Sequence, residues 1–105
     1  MTFNEFKETK EVKAIIKEIL KHDTDNNIVA IGLPEYHLTS ENNITSGDGG
    51  INLFIFTKVS DIDSDLFDFI LAYNDENRNK ENTFSLYSEI LTPADNTPCL
   101  SIYSA

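Results

Sequence analysis

Residues 60–74, Ser-Asp-Ile-Asp-Ser-Asp-Leu-Phe-Asp-Phe-Ile-Leu-Ala-Tyr-Asn, can be read in two periods, and the choice decides the fold. With period 3.6, Ile62, Leu66, Phe69, Ile70 and Tyr73 make one apolar stripe. With period 2, Phe67, Phe69, Leu71 and Tyr73 alternate with Leu66, Asp68, Ile70 and Ala72, a passable strand. The start signal separates the two. Ser60 with Asp63 three residues later has the spacing of a capping box, and Asp61, Asp63 and Asp65 suit a helix N-terminus. The stretch is read as a helix, with the strand as the alternative.

Upstream, Ile51 to Val59 is the clearest strand. Ile51, Leu53, Ile55 and Val59 share one face and Phe54 and Phe56 the other, and a strand apolar on both faces is central in its sheet. Ile28 to Leu33 is a shorter β-branched run that Pro34 ends or places at a sheet edge. Between them, residues 39–50 form a polar loop long enough to carry function. Residues 4–21 read as one amphipathic helix: Val12, Ile15, Ile16, Ile19 and Leu20 form a stripe that Phe3 and Phe6 extend. Thr2 or Asn4 is placed to cap it.

Downstream, the polar run 75–82 breaks the chain before a strand over 83–91, with Phe84, Leu86 and Ile90 inward. A turn over 92–98 leads to a last strand over 99–104, and the two strands are expected to pair as a hairpin. The whole is expected to be one α+β domain, residues 1–105, in the order α-β-β-α-β-β. Two helices would cover a mainly antiparallel sheet of about four strands. If 60–74 were a strand, one helix would lie on a five-stranded antiparallel sheet.

The charge is polarised. Residues 1–21 carry five Lys and four Glu, whereas residues 22–105 carry fourteen acids against Lys58, Arg78 and Lys80. The chain total is −10. Direct binding to nucleic acid or to an anionic membrane needs the opposite sign and is excluded from the expectations. The longest apolar run, Phe69 to Tyr73, is far below the ~18 residues of a membrane span. A single cysteine, Cys99, rules out an intrachain disulfide and fits a reducing, cytoplasmic setting.

Catalytic and metal motifs are weak. Asp23-x-Asp25-x-Asn27 and Asp61-x-Asp63-x-Asp65 imitate the start of a calcium loop, but neither has Gly at the sixth position or Glu at the twelfth. Gly47-Asp48-Gly49-Gly50 leads into a strand, so it reads as a turn and not as a phosphate cradle. His37 beside Ser40 has no nucleophile motif around it, His22 reads as a helix C-cap, and Cys99 reads as a small core residue. No catalytic residue, metal or cofactor is expected, and the chain is not read as an enzyme.

The strongest constellation is Asp61, Asp63, Asp65, Asp68, Asp75 and Glu76, with no cation between Val59 and Asn77. In the helical reading Asp61, Asp65 and Asp68, spaced by four and three, share a face. A solvated, merely solubilising face is the plain alternative. Opposite a cationic cleft, the same carboxylates would give fast association and fix register. The expected activity is therefore inhibition of a basic protein partner, a nuclease toxin or other nucleic-acid-binding enzyme whose cleft the acids block. Asp23, Asp25 and Asp48 would extend the footprint, and Tyr36 and Tyr73 would supply aromatic anchors. In size and charge alone the chain resembles immunity proteins and phage-encoded inhibitors, a likeness that carries no motif. Two other readings remain: an acidic dimeric chaperone or adaptor with an apolar groove, and a small metal-binding or enzymatic domain built around His37 and Asp48.

Overall fold

Two successive threonine caps divide the N-terminal amphipathic segment. In the computed structural model, which describes residues 1–45, 50–58, 62, 64–78, 80, 83–90 and 98–105, the expected single helix is two. Helix α1 spans Phe3–Lys7 and α2 spans Lys10–Lys21. Thr2 accepts from the Glu5 amide while Glu5 reaches back to the Thr2 amide, closing a capping box. Thr9 then accepts from the Val12 amide and donates to the Phe6 carbonyl, so its hydroxyl starts a second helix where a continuous one was expected. The kink lets Phe6 turn inward, edge-on to Phe84 at 6.2 Å.

Strand β1 (Ile28–Pro34), a single 3-10 turn (Glu35–His37), β2 (Ile51–Thr57), α3 (Ser64–Glu76), β3 (Phe84–Ile90) and β4 (Cys99–Ser104) follow. Residues 64–74 are thus helical, as the period of 3.6 implies, and the helix runs on through Asp75 and Glu76, where a break was expected. The helix begins at Ser64; the expected cap, Ser60 with Asp63, lies outside the described residues.

The four strands make one mixed sheet in the order β3-β2-β1-β4. This corrects the expected hairpin: β3 and β4 occupy opposite edges and do not pair. β2 and β3 run parallel, from Ile51 opposite Phe84 to Thr57 opposite Ile90, because α3 carries the chain back along the sheet between them. β1 pairs antiparallel with both β2 and β4. Its Pro34 ends an interior strand, in register with Cys99, and so does not mark an edge. β2 is central, as its two apolar faces imply.

The helices and one sheet face enclose a single core, with Val12, Ile19, Ile31, Leu33, Leu53, Ile55 and Leu66 fully buried. Phe84 and Leu86 join it, whereas Ile90, expected inward, is 38% exposed. The other sheet face carries Phe54, Phe56 and Tyr87 as a ring cluster, with the Phe56 and Tyr87 centroids 6.3 Å and 5.5 Å from that of Phe54. Gly32 lies on this face under Cys99, whose Cβ would be only 2.6 Å from a Cβ at position 32. Glycine is required there by close approach.

Candidate functional site

α3 has two faces of different chemistry. Leu66 and Ile70 are buried, Phe69 and Tyr73 are half-buried, and this stripe packs on the core. The remaining surface carries Asp65, Asp68, Asp75 and Glu76, all exposed. Asp68 and Asp75 are seven residues apart and so align along the helix. Four of the six expected carboxylates are therefore exposed on α3, Asp65 in its first turn and Asp75 and Glu76 in its last; Asp61 and Asp63, like Asp48, lie outside the described residues.

Only two basic groups among the described residues bond to this face. Arg78 lies 3.3 Å from Asp75, with both side chains more than 70% exposed, a geometry that neutralises little in water. His22, the C-cap residue of α2, stacks on Phe69 at 4.4 Å and puts Nδ1 3.1 Å from Asp65. That contact brings the end of α2 to the start of α3. Asp25, in the loop after α2, is exposed. Asp75 and Glu76 stand in the last turn of α3, where no basic residue accompanies them and the helix dipole disfavours negative charge.

The other expected contact residues divide differently. Asp23 is buried and accepts from the Asn27 and Ile28 amides at 3.0 and 2.9 Å, so it organises the turn into β1 and leaves the contact surface. Tyr73 is half-buried, and its hydroxyl accepts from the Phe84 amide at 3.4 Å, so it is not an exposed anchor. Burial also pushes its phenol above the usual tyrosine value, against the smaller opposing effect of the Phe84 amide. Tyr36 is exposed, but its hydroxyl accepts from Asn52, a residue of the same strand parity as Phe54. It therefore flanks the sheet face away from the helices and does not join the α3 surface.

His37 is spent on structure. It is buried, with Nδ1 donating to the Thr45 carbonyl at 2.9 Å and Nε2 accepting from the Asn52 amide at 3.0 Å. Neither nitrogen is left for a substrate. Together with Thr39, which accepts from the Glu41 and Asn43 amides, it ties down the first half of the polar loop. Burial, with the charges of Glu89 and Glu35, pushes the Cys99 thiol up to about 11, so it is protonated and unreactive at neutral pH. Among the described residues no group of three or more His, Cys, Asp or Glu could hold a metal ion.

Two residues of the exposed α3 face were not singled out by sequence. Phe67 and Leu71 are 50% and 53% exposed, four residues apart and so neighbours on the helix surface. In the helical period they fall outside the Leu66, Ile70 and Tyr73 stripe, but only the packing of α3 shows that no other element among the described residues covers them. Leu71 lines a shallow depression with Asp68, Ala72, Asp75 and Arg78.

Comparison of the chain with protein-family models, curated proteins and solved structures finds no match. No helix among the described residues is long and apolar enough to cross a membrane.

Proposed function

We propose that the chain is a small acidic binding protein that docks on a basic protein and blocks it, acting in the cytoplasm. The partner class that fits is a nuclease or another nucleic-acid-binding enzyme, whose cationic cleft the carboxylates of α3 occupy in place of phosphates. One observation carries this reading. Asp65, Asp68, Asp75 and Glu76 all emerge on the solvent side of α3, although two of them oppose its dipole. Charges kept at a cost to the helix are better explained by a partner than by solubility, which any exposed position would serve equally.

The test is kinetic. A basic enzyme retained from lysate at low salt, and released by a salt step, is purified and its association rate measured. The rate should fall steeply with ionic strength, and by at least about tenfold for the D65N/D68N/D75N/E76Q variant. The partner's nuclease activity should be restored in parallel. Equal rates for both proteins would reject the role of α3.

A second reading, a chaperone or adaptor with an apolar groove, is favoured by the Phe54, Phe56 and Tyr87 ring cluster on the far sheet face. It requires binding that is indifferent to salt and lost on Tyr87→Ser.

A further inference from the structure

Carboxylates alone would suffice to imitate a phosphate backbone, yet the acidic face of α3 is not purely acidic. Phe67 and Leu71 stand half in water while the buried needs of this helix are met by Leu66 and Ile70. Leu71 is flanked on its own helix face by Asp68 three residues before and Asp75 four residues after. It lines the depression bounded by those two carboxylates, Ala72 and Arg78. An exposed apolar pair bordered along one side by carboxylates is the arrangement of a contact surface whose apolar part excludes water and whose charged edge sets orientation.

We propose that Phe67 and Leu71 are the apolar anchor of a docking surface on α3, and that its occupant is a cationic amphipathic segment of a partner protein. Such a segment carries apolar side chains among lysines and arginines. This deepens the preceding reading and rests on it. Charge complementarity selects this occupant from the others. A second copy of the chain would set Asp65, Asp68, Asp75 and Glu76 against the same four groups, with Arg78 and His22 in partial relief. An anionic lipid surface or a nucleic acid would be repelled likewise. A purely apolar partner would leave the carboxylate edge facing nothing. A cationic amphipathic segment satisfies both halves, with its aliphatic groups on Phe67 and Leu71 and its cations on Asp68, Asp75, Asp65 and Glu76.

The test uses the full chain, isotope-labelled for NMR, and two synthetic peptides of equal length and charge. One is a Lys/Leu amphipathic helix former; in the other each Leu is replaced by Ser. The Leu peptide should bind at least about tenfold more tightly at an ionic strength of ~0.15 M. Its shift changes should centre on Phe67, Asp68, Leu71 and Asp75. The F67S/L71S variant should lose this preference and keep the weaker binding of the Ser peptide, since both side chains are exposed and circular dichroism can verify the fold.

Equal affinities at α3 would remove the anchor and leave the electrostatic reading standing. A preference for the Leu peptide that survives D65N/D68N/D75N/E76Q unchanged would keep the anchor and sink the electrostatic reading. Shift changes centred on Phe54 and Tyr87 would overturn the assignment to α3. A dimer by light scattering that dissociates in F67S/L71S would overturn it in favour of self-association.

Discussion

Asn74 pairs with both backbone groups of Leu86, its Nδ2 donating to the carbonyl at 2.9 Å and its Oδ1 accepting from the amide at 2.8 Å. The side-chain amide thereby stands where a neighbouring strand would. From the adjacent helix residue, the Tyr73 hydroxyl accepts from the Phe84 amide, two residues along β3, at 3.4 Å. The first half of the outer edge of β3 is thus covered by the helix that carries the acidic face, which protects part of an edge otherwise open to pairing. Edge protection and site presentation come from one helix.

Asn74→Ala should remove both bonds and leave the Leu86 groups unpaired. A loss of about 2 kcal/mol is expected, from roughly 1 kcal/mol per bond. The urea midpoint measures it, and light scattering should show concentration-dependent association as β3 opens. An unchanged midpoint together with a monomeric protein would show that α3 does not guard the edge.

Gly32→Ala should destabilise by about 1–3 kcal/mol through overpacking, because the added methyl would lie 2.6 Å from the Cys99 Cβ. Cys99→Ser should not rescue it, since serine keeps the offending Cβ. Thermal melts of the single and double variants decide the matter. Rescue by serine would mean that the sulfur, not the β-carbon, sets the contact.

Stability should fall as pH rises from about 9 toward about 11. The Cys99 thiol ordinarily titrates near 9.0, and in the folded chain burial, Glu89 and Glu35 push it up to about 11. Between these values the unfolded chain releases the proton and the folded chain keeps it, so the native state loses ground as pH increases. Below 9 this group contributes no slope. Comparing urea midpoints of wild type and Cys99→Ala across pH 8–11 isolates the effect, and parallel curves would contradict it. Alkylation by iodoacetamide should likewise be slow at neutral pH and rise about tenfold per pH unit.

Neutralising α3 should not harm the fold. D65N/D68N/D75N/E76Q is expected to melt at or above the wild-type temperature. Each exposed ion pair it removes is worth at most about 1 kcal/mol, and relief at the helix C-terminus returns about 0.3–1 kcal/mol per residue. Calorimetry checks this. A large drop would mean the acids hold the structure together, and that their binding role needs another explanation.

How much was legible depends on the range of the interaction concerned. The α3 helix over 64–74, the centrality of β2 and the stripe Val12, Ile15, Ile19 all follow from side-chain periods repeated within a few residues. The break at Thr9 was legible in principle, since the hydroxyl precedes Val12 by three residues, but the uninterrupted charge pattern around it masked the second cap. The β3–β4 hairpin failed because proximity in sequence favours local pairing, and only the crossover through α3 sets β3 beside β2. At the candidate site, Asp65 and Asp68 were legible because like charges at helical spacing leave a local trace, whereas Asp75 and Glu76 were read in the polar run after the helix and were found only as neighbouring acids. Asp23 was misjudged as a surface acid because its partners are the backbone amides of Asn27 and Ile28, which no residue pattern distinguishes.

The sequence alone determined the α+β class, the excess of negative charge beyond residue 21 and the helical placement of Asp65 and Asp68, whereas Asp75 and Glu76 were read beyond the helix that in fact includes them. Those are matters of composition and of periods spanning one or two turns. Tertiary structure alone decided that β3 lies parallel to β2, that Asn74 covers part of its edge, and that Phe67 and Leu71 stay in water beside the acids. Which side of a helix meets the core depends on the element it packs against, and that element is fixed only when distant segments of the chain have met.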